Sequence, residues 1–223
     1  MFIIVAMYDE VKYYLENNNF ELIQNEPFKI FKHKNNFVAI SGIGLVNATI
    51  ATTLICENYL NDDQILINIG LAGSIEDNFD ILDLVLIENS TFSFANATGF
   101  GYEKGQIPKE EKFFANFNNE FVKQKMNKIK FGNLASSDIF ISDYNSAKEN
   151  FLGFPIKIDL LDMEANAIAF TCYKFKKKLI SLKIVSDILK VKIDNESQFK
   201  NILELGSKKI EMVLTDFENI LNY

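Results

Sequence analysis

The chain has 223 residues, 48% of them hydrophobic and 24% charged, which is the balance of a globular protein able to bury a sizeable core. Its net charge of −7 at pH 7 argues against a surface for nucleic acid or for an anionic membrane. We find neither an apolar run long enough to cross a bilayer nor the basic start of a secretory signal. We therefore expect one cytoplasmic domain over residues 1–223, with no nucleic-acid or membrane partner.

The predicted elements of the first half of the chain start with a buried strand and a helix. Their order follows from apolar runs, alternating stretches and glycine turns. It is strand Phe2–Ala6, helix Asp9–Asn17, strands Glu21–Gln24, Phe28–Lys32 and Phe37–Ser41, helix Val46–Leu60, strand Gln64–Ile69, a turn at Gly70–Ser74, and strand Leu82–Phe94.

The second half opens with a loop rich in glycine and aromatic residues, Thr98–Pro108. The elements after it are helix Asn118–Asn127, strand Ile129–Ser136, helix Asp143–Phe151, a short apolar piece at Ile156–Leu160, helix Asp162–Tyr173, strand Leu179–Ser186 and helix Gln198–Leu221. Strands that alternate with helices, several of them apolar throughout, predict an α/β fold with a largely parallel central sheet.

All 23 basic residues are lysines, so the chain contains no arginine. A bias towards AT-rich codons also accounts for this composition, but the chemical consequence is the same. Arginine is the preferred bidentate clamp for phosphate, and no arginine-based phosphate or carboxylate site can exist here.

Residues typical of metal, nucleotide or triad chemistry are scarce. The only histidine, His33, lies in a polar run, and the two cysteines, Cys56 and Cys172, lie in predicted helices as small core residues. The turn GIGLVNA lacks the Lys-Ser/Thr ending of a P-loop and the third glycine of a dinucleotide fingerprint. These patterns predict no disulfide framework, no zinc site and no Ser-His-Asp triad, so we expect neither a metal nor a cofactor.

Small or acidic residues follow several predicted strands, and in open α/β sheets ligands bind at the carboxyl ends of the strands. Four acids lie at element boundaries beside apolar residues: Glu10, Asp138, Glu164 and Asp187. Each alone fits a structural role, as Glu164 does in the first turn of a helix. Asp187 ends an apolar run, where a carboxylate is costly to desolvate unless it is paired, hydrogen-bonded or protonated. Together the four acids predict a polar pocket at one edge of the sheet.

Seven segments, taken in chain order, resemble motifs of one known family. They are IIVAMYDEV, SGIGLVNA, NIGLAGS, TGFGYEKGQIP, ASSDIFI, LDMEANAIA and KIVSD. The chain resembles the nucleoside phosphorylase and nucleosidase superfamily, most closely its 5′-methylthioadenosine/S-adenosylhomocysteine nucleosidase branch. The resemblance implies a single-domain, three-layer α/β/α fold with a mixed, largely parallel sheet.

The resemblance also implies catalytic roles for three residues. Asp187 is similar to the general acid that protonates the purine N7 as the base leaves, and Ser186 would orient it. Glu10 is similar to the acid that activates the attacking water. These residue types suit the reaction, since cleavage of an N-glycosidic bond needs a proton for the leaving base and a positioned nucleophile.

The same resemblance implies a substrate-binding set, which comprises Met163, Glu164, Phe140, Ile141, Ala72, Gly73, Met7, Ile43, Phe100 and Tyr102. Within it, Met163 and Glu164 would hold the ribose, and Phe140 would stack on the base while backbone groups of Ile141 read its edge. Phe100 and Tyr102 fall in a loop that, in this branch, reaches the 5′ pocket of a partner subunit, so the resemblance implies a homodimer.

The chain departs from the family pattern at several places around these residues. Lys183 stands where the family has arginine, and Leu71 stands where it has serine. The segments Ile188–Lys190 and Thr91–Phe94 also differ from the usual motifs.

Three functions stay open at this point. The first is hydrolysis of an adenine nucleoside, with 5′-methylthioadenosine, S-adenosylhomocysteine and 6-amino-6-deoxyfutalosine as the substrates considered. The second is a purine nucleoside phosphorylase, which the absence of arginine disfavours. The third is a drifted family member that binds a nucleoside with little turnover.

Overall fold

The computed structural model describes residues 1–115, 122, 124, 126, 129–191 and 196–221. Its helices are α1 (Tyr8–Asn17), α2 (Leu45–Asn58), α3 (Tyr144–Phe151), α4 (Ala165–Lys174) and α5 (Glu196–Leu221). Its strands are β1 (Phe2–Val5), β2 (Glu21–Gln24), β3 (Lys29–His33), β4 (Asn36–Ile40), β5 (Ile65–Ser74), β6 (Leu84–Phe92), β7 (Phe114–Ala115), β8 (Lys130–Ser136), β9 (Leu160–Asp162) and β10 (Lys178–Ile188). The helix expected at Asn118–Asn127 lies, for most of its length, outside the described residues.

The ten strands of the described residues form one mixed sheet, which confirms the predicted α/β class. Five strands pair in a closed ring, because β10 joins β5 on one side and β6 on the other, while β8 and β9 complete the circuit back to β5. Outside the ring, β1 pairs in parallel with β5, and β4, β3 and β2 extend the sheet from β1.

Strand β5 changes neighbour halfway along one of its edges. Its pairing with β1 ends at Asn68, and its pairing with β9 begins at Gly73. The other edge pairs with β10 through to Ser74. The sheet therefore forks beside Gly70–Ala72, at the carboxyl ends of β1 and β10.

The turn predicted at Gly70–Ser74 is wrong, because these residues form the second half of β5. The helix predicted from Asp162 begins instead at Ala165, since Asp162 ends β9. The glycines in this half of β5 leave space for neighbouring side chains and do not bend the chain. A Cβ at Gly70 would lie 2.9 Å from Glu10 Oε1, and one at Gly73 would lie 2.9 Å from Asp187 Oδ2.

Helices cover both faces of the sheet and bury it. Alternate residues of β1 point to opposite sides: Ile3 packs in the cluster under α1 and α5, whereas Ile4 packs in the cluster under α2 and α4. Such strands, buried on both faces, read as continuous apolar runs in sequence. Among the described residues, no helix combines the length and the apolar character that a membrane span requires.

Helix α5 lies against the forked strand at one point of close approach. A Cβ at Gly206 would lie only 2.7 Å from Leu71 Cδ2, so the helix leaves room for this leucine by having no side chain there. Further along α5, Phe217 is 1% exposed and packs in the cluster shared with Val11, Tyr14 and Leu15 of α1.

Replacing Phe217 with Ala should lower the free energy of unfolding by about 3–5 kcal/mol, because it removes a ring from a packed core and leaves a cavity. Urea unfolding followed by circular dichroism measures this loss. Met212→Ala is the control on the same helix, at a residue that is 61% exposed. It should change the value by less than about 0.5 kcal/mol. Equal losses in the two variants would contradict the packing of α5 on α1.

Candidate active site

A cavity of about 330 Å³ opens at the carboxyl ends of the strands, beside the fork in β5. Its volume is within the range of small-molecule sites. Eleven of the thirteen predicted site residues line it: Met7, Glu10, Ile43, Ala72, Gly73, Phe140, Ile141, Met163, Glu164, Ser186 and Asp187. The structure therefore brings together residues from six separate segments of the chain.

Glu10 lies on the first turn of α1 and is 3% exposed. Its Oε2 accepts a hydrogen bond from the backbone N–H of Met7 at 3.0 Å, and its Oε1 accepts one from the N–H of Leu71 at 2.8 Å. The N–H of Leu71 can donate to Glu10 because Leu71 lies at the fork, between the pairing of β5 with β1 and its pairing with β9. Burial raises the pKa of Glu10, against the opposing effects of Lys183 and of the two backbone donors.

Lys183, on β10, forms a buried ion pair next to Glu10. Its Nζ lies 2.8 Å from Asp162 Oδ2, and the two side chains are 3% and 2% exposed. Burial by itself would lower the pKa of Lys183, but the charges of Asp162, Glu164 and Glu10 raise it above its ordinary value. The ammonium therefore stays charged and offsets part of the negative charge around it.

Asp162 is fixed from two further directions. Ser136 Oγ donates to its Oδ1 at 2.5 Å, and the backbone N–H of Ala165, at the start of α4, donates to its Oδ2 at 2.9 Å. A buried carboxylate with a cation, a hydroxyl and a helix N–H as partners is a satisfied one. Its position fixes Lys183 in turn.

Glu164 immediately precedes α4 and reaches across to the start of α2. Its Oε1 accepts a hydrogen bond from the N–H of Gly44 at 2.7 Å. Burial, with a smaller contribution from the charge of Asp162, raises the pKa of Glu164 to about 7. One oxygen is held by the backbone, so the other can accept hydrogen bonds from a ligand in the cavity.

Asp187 follows an irregularity in β10, where the register shifts between Val185 and Asp187. Such a bulge re-aims the side chains around it. Ser186 Oγ donates to Asp187 Oδ1 at 2.6 Å. Burial raises the pKa of Asp187, and the hydrogen bond from Ser186 opposes this effect. The carboxyl is thus suited to carry a proton, and Gly73 leaves space for it.

The mouth of the cavity is apolar. Ile43, Ile139 and Phe140 all line it and are 50%, 56% and 69% exposed, respectively. Large exposed apolar side chains at the rim of a concave site are typical of surfaces that a ligand or a partner covers.

Two of the thirteen predicted residues do not line the cavity, and neither does the fourth acid of the predicted pocket. Phe100, which is 87% exposed, and Tyr102 lie on or next to the short 3₁₀ turn Thr98–Phe100. Asp138 instead accepts a hydrogen bond from the backbone N–H of Leu45 at 2.7 Å, at the first residue of α2. The placement of Asp138 corrects the prediction that all four acids share one pocket.

Sequence reasoning did not assign Asp162, Lys183 or Ser93 to the site. The signal for Lys183 was its charge inside an otherwise apolar strand, which calls for a buried counter-ion. Ser93 lines the cavity, and its Oγ has no hydrogen-bond partner in the structure. Throughout the described part of the chain, no group of three or more His, Cys, Asp or Glu side chains is placed to hold a metal ion.

Comparisons with known proteins show which family the chain is similar to. The family model described as the Phosphorylase superfamily matches residues 1–218. The 5′-methylthioadenosine/S-adenosylhomocysteine nucleosidase of Staphylococcus epidermidis is 36% identical over 227 residues, which cover 96% of this chain and 98% of that protein.

Solved structures are similar over the same length. The 5′-methylthioadenosine/S-adenosylhomocysteine nucleosidase of Neisseria meningitidis, in complex with methylthio-immucillin-A, gives a TM-score of 0.83 at 25% identity and covers 96% of each chain. A futalosine hydrolase mutant of Helicobacter pylori gives a TM-score of 0.86 at 25% identity, covering 98% of this chain and 97% of that one.

The raised pKa of Glu164 predicts a dependence of stability on pH. Between the ordinary value of 4.5 and the folded value of about 7, the native protein binds more protons at Glu164 than the unfolded chain does. Stability from this group therefore falls as the pH rises through that window.

Glu164→Gln should remove this dependence while it keeps an acceptor for the N–H of Gly44. The stability of the variant relative to the wild type should increase between about pH 5 and about pH 8, as measured by urea unfolding. A constant difference across this range would contradict the raised pKa.

Proposed function

This chain belongs to the phosphorylase superfamily, and on that premise we propose that it is a purine nucleosidase. It hydrolyses the N-glycosidic bond of 5′-methylthioadenosine, S-adenosylhomocysteine or a related adenine nucleoside such as 6-amino-6-deoxyfutalosine. The observation that carries the proposal is a pair of acids on one cavity with different partners, the buried Glu10 and the half-buried Asp187.

Asp187 is the general acid of the proposed reaction. As the bond between the sugar C1′ and the purine N9 breaks, its carboxyl proton passes to N7, so the base leaves as a neutral molecule. The raised pKa supports this role, since a carboxyl of ordinary pKa would hold almost no proton at neutral pH. Ser186 orients the carboxyl through its hydrogen bond to Oδ1.

Glu10 is the base that activates water in this scheme. Two backbone N–H groups anchor its oxygens, and a pKa raised by burial makes it a stronger base than an exposed glutamate. The water's oxygen forms the new bond to C1′, and its proton passes to Glu10.

The sugar and the base have distinct contacts in the proposed complex. Glu164 accepts hydrogen bonds from the ribose hydroxyls, with Met163 beside it, while Ala72 and Gly73 lie near C1′. Phe140 stacks on the purine, and backbone groups of Ile141 read its edge. Met7 and Ile43, which also line the cavity, complete the proposed substrate-binding set.

Hydrolysis is favoured over phosphorolysis by the charge of the cavity. Among the described residues that line it, four are carboxylic acids and none is a lysine or histidine. The nearby ammonium of Lys183 is already paired with Asp162. A phosphate dianion would enter this space without a counter-ion, whereas water carries no such cost.

We also propose that the protein acts as a cytoplasmic homodimer. The exposed aromatic side chain of Phe100, with Tyr102 close behind it in the chain, would then reach the mouth of a partner's cavity. The apolar rim formed by Ile43, Ile139 and Phe140 suits such a covering partner.

Replacing either acid should stop the chemistry and leave the fold intact. Asp187→Asn and Glu10→Gln should each reduce kcat for 5′-methylthioadenosine by about 10²–10⁴-fold, because each removes a proton transfer. Adenine release is measured by chromatography, and thermal unfolding checks the fold. Asp216→Asn, at an exposed position on α5, is the control and should retain full turnover. Undiminished release by either active-site variant would overturn the mechanism.

Phosphate should be neither required nor consumed. Turnover should be the same with and without inorganic phosphate, and the sugar product should be free 5-methylthioribose. A sugar 1-phosphate product would instead establish the phosphorylase. Tight binding of nucleosides without release of base from any of them would establish the drifted binding protein.

A further inference from the structure

We infer that Asp138 is a positioning residue, which ties the base-binding segment 139–141 to the turn that holds Glu164. The inference rests on the proposed function, because it concerns how the base side and the sugar side of the same site are held relative to each other. Asp138 does not line the cavity, so it acts through the residues beside it.

The start of α2 holds carboxylates from two other segments of the chain. The backbone N–H of Gly44 donates to Glu164 Oε1 at 2.7 Å, and the next N–H, that of Leu45, donates to Asp138 Oδ1 at 2.7 Å. A helix leaves its first backbone donors without internal partners and favours negative charge at this end. Adjacent peptide groups of one helix terminus therefore fix both acids.

Gly44 allows Asp138 to come this close to the helix. A Cβ at Gly44 would lie 2.8 Å from Asp138 Oδ1, and Gly44 has a φ of +99°. Any other residue would be disfavoured both by this contact and by the backbone conformation. The second glycine of the turn GIGLVNA thus leaves space for the carboxylate of Asp138.

Asp138 directly precedes the residues that the proposed binding mode places on the base. Ile139 and Phe140 are 56% and 69% exposed, so packing alone holds them weakly. On the other side of Asp138, the N–H of Ser137 donates to the carbonyl of Asp162 at 3.2 Å, and Ser137 Oγ donates to the carbonyl of Ile139 at 3.0 Å. The hydrogen bond of Asp138 adds an attachment to α2, two residues before Phe140.

Loss of this attachment should weaken binding and leave the chemical step unchanged. A segment without it occupies the binding-competent position for a smaller fraction of the time, and the apparent Kd rises by that factor. A lost carboxylate contact at a helix N-terminus corresponds to a factor of about five. Glu10 and Asp187, the acids of the proposed chemical step, are held by other partners.

Asp138→Ala should raise KM for 5′-methylthioadenosine by about fivefold and leave kcat within about twofold of the wild type. Asp138→Asn keeps an oxygen that can accept from the N–H of Leu45, so its KM should stay within about twofold of the wild type. Steady-state assays of adenine release give both constants. An unchanged KM in Asp138→Ala, or an equal rise in the two variants, would overturn the inference.

Asp143→Ala is the matched control. Asp143 is also an exposed aspartate at a helix N-terminus, and its Oδ2 accepts from the N–H of Ser146 at 2.7 Å. That bond lies within the start of α3 and does not reach α2. Asp143→Ala should lower the thermal stability, as Asp138→Ala should, but leave KM unchanged. Equal rises in KM in the two alanine variants would mean that lost stability weakens binding, and would overturn the inference.

Binding of adenine separates this result from the proposed function. Calorimetry requires no turnover, and Kd for adenine should be about fivefold higher in Asp138→Ala than in the wild type or in Asp143→Ala. A wild type that binds adenine but releases none from 5′-methylthioadenosine would refute the proposed function, and the ratio of the Kd values would still decide the inference. A wild type that binds no adenine would overturn both.

Discussion

The fork in strand β5 is the constraint on which the site depends. A strand paired along its whole length on both edges would use every backbone N–H in its two ladders. Because β5 leaves β1 at Asn68 and meets β9 only at Gly73, the N–H of Leu71 is available to a side chain. Glu10 accepts a hydrogen bond from that N–H. Gly70 and Gly73, which have no side chains, leave room for Glu10 and Asp187. The same change of partner closes the five-stranded ring and opens the cavity beside it.

The electrostatics of the site are a balance of three acids around one lysine. Glu10, Asp162 and Glu164 all raise the pKa of Lys183, and Lys183 opposes the effect of burial on the pKa of Glu10 and of Glu164. Lys183 does not act on Asp187 in this way. Burial raises the pKa of Asp187, and only the hydrogen bond from Ser186 opposes this effect. Burial therefore raises the pKa of Glu10 and of Asp187 alike, but a cation opposes it at Glu10 and only a hydroxyl opposes it at Asp187. The proposed assignment of one acid as base and the other as acid uses this difference in surroundings.

Local patterns predicted most elements to within two residues, because strands buried on both faces and amphipathic helices leave apolar runs of characteristic period. The error at Gly70–Ser74 has a physical cause. Gly70 and Gly73 have no side chains where the carboxylates of Glu10 and Asp187 lie over them, and no local pattern encodes a contact with residue 10 or residue 187. The pairing of Lys183 with Asp162 likewise depends on the sheet register. Glu10 and Asp187 were singled out by their places at element boundaries and were given roles by the family resemblance. Phe100 and Tyr102, predicted from the same resemblance, do not line the cavity.

The close approach of helix α5 to the fork couples two positions that are far apart in the chain. A Cβ at position 206 would lie 2.7 Å from Leu71 Cδ2, so a larger residue at 206 would require the leucine side chain to move. A smaller residue at 71 would leave room for that Cβ without any movement. Residues 71 and 206, which are 135 positions apart in sequence, therefore share one volume, and the effects of substitutions at the two sites on stability depend on each other.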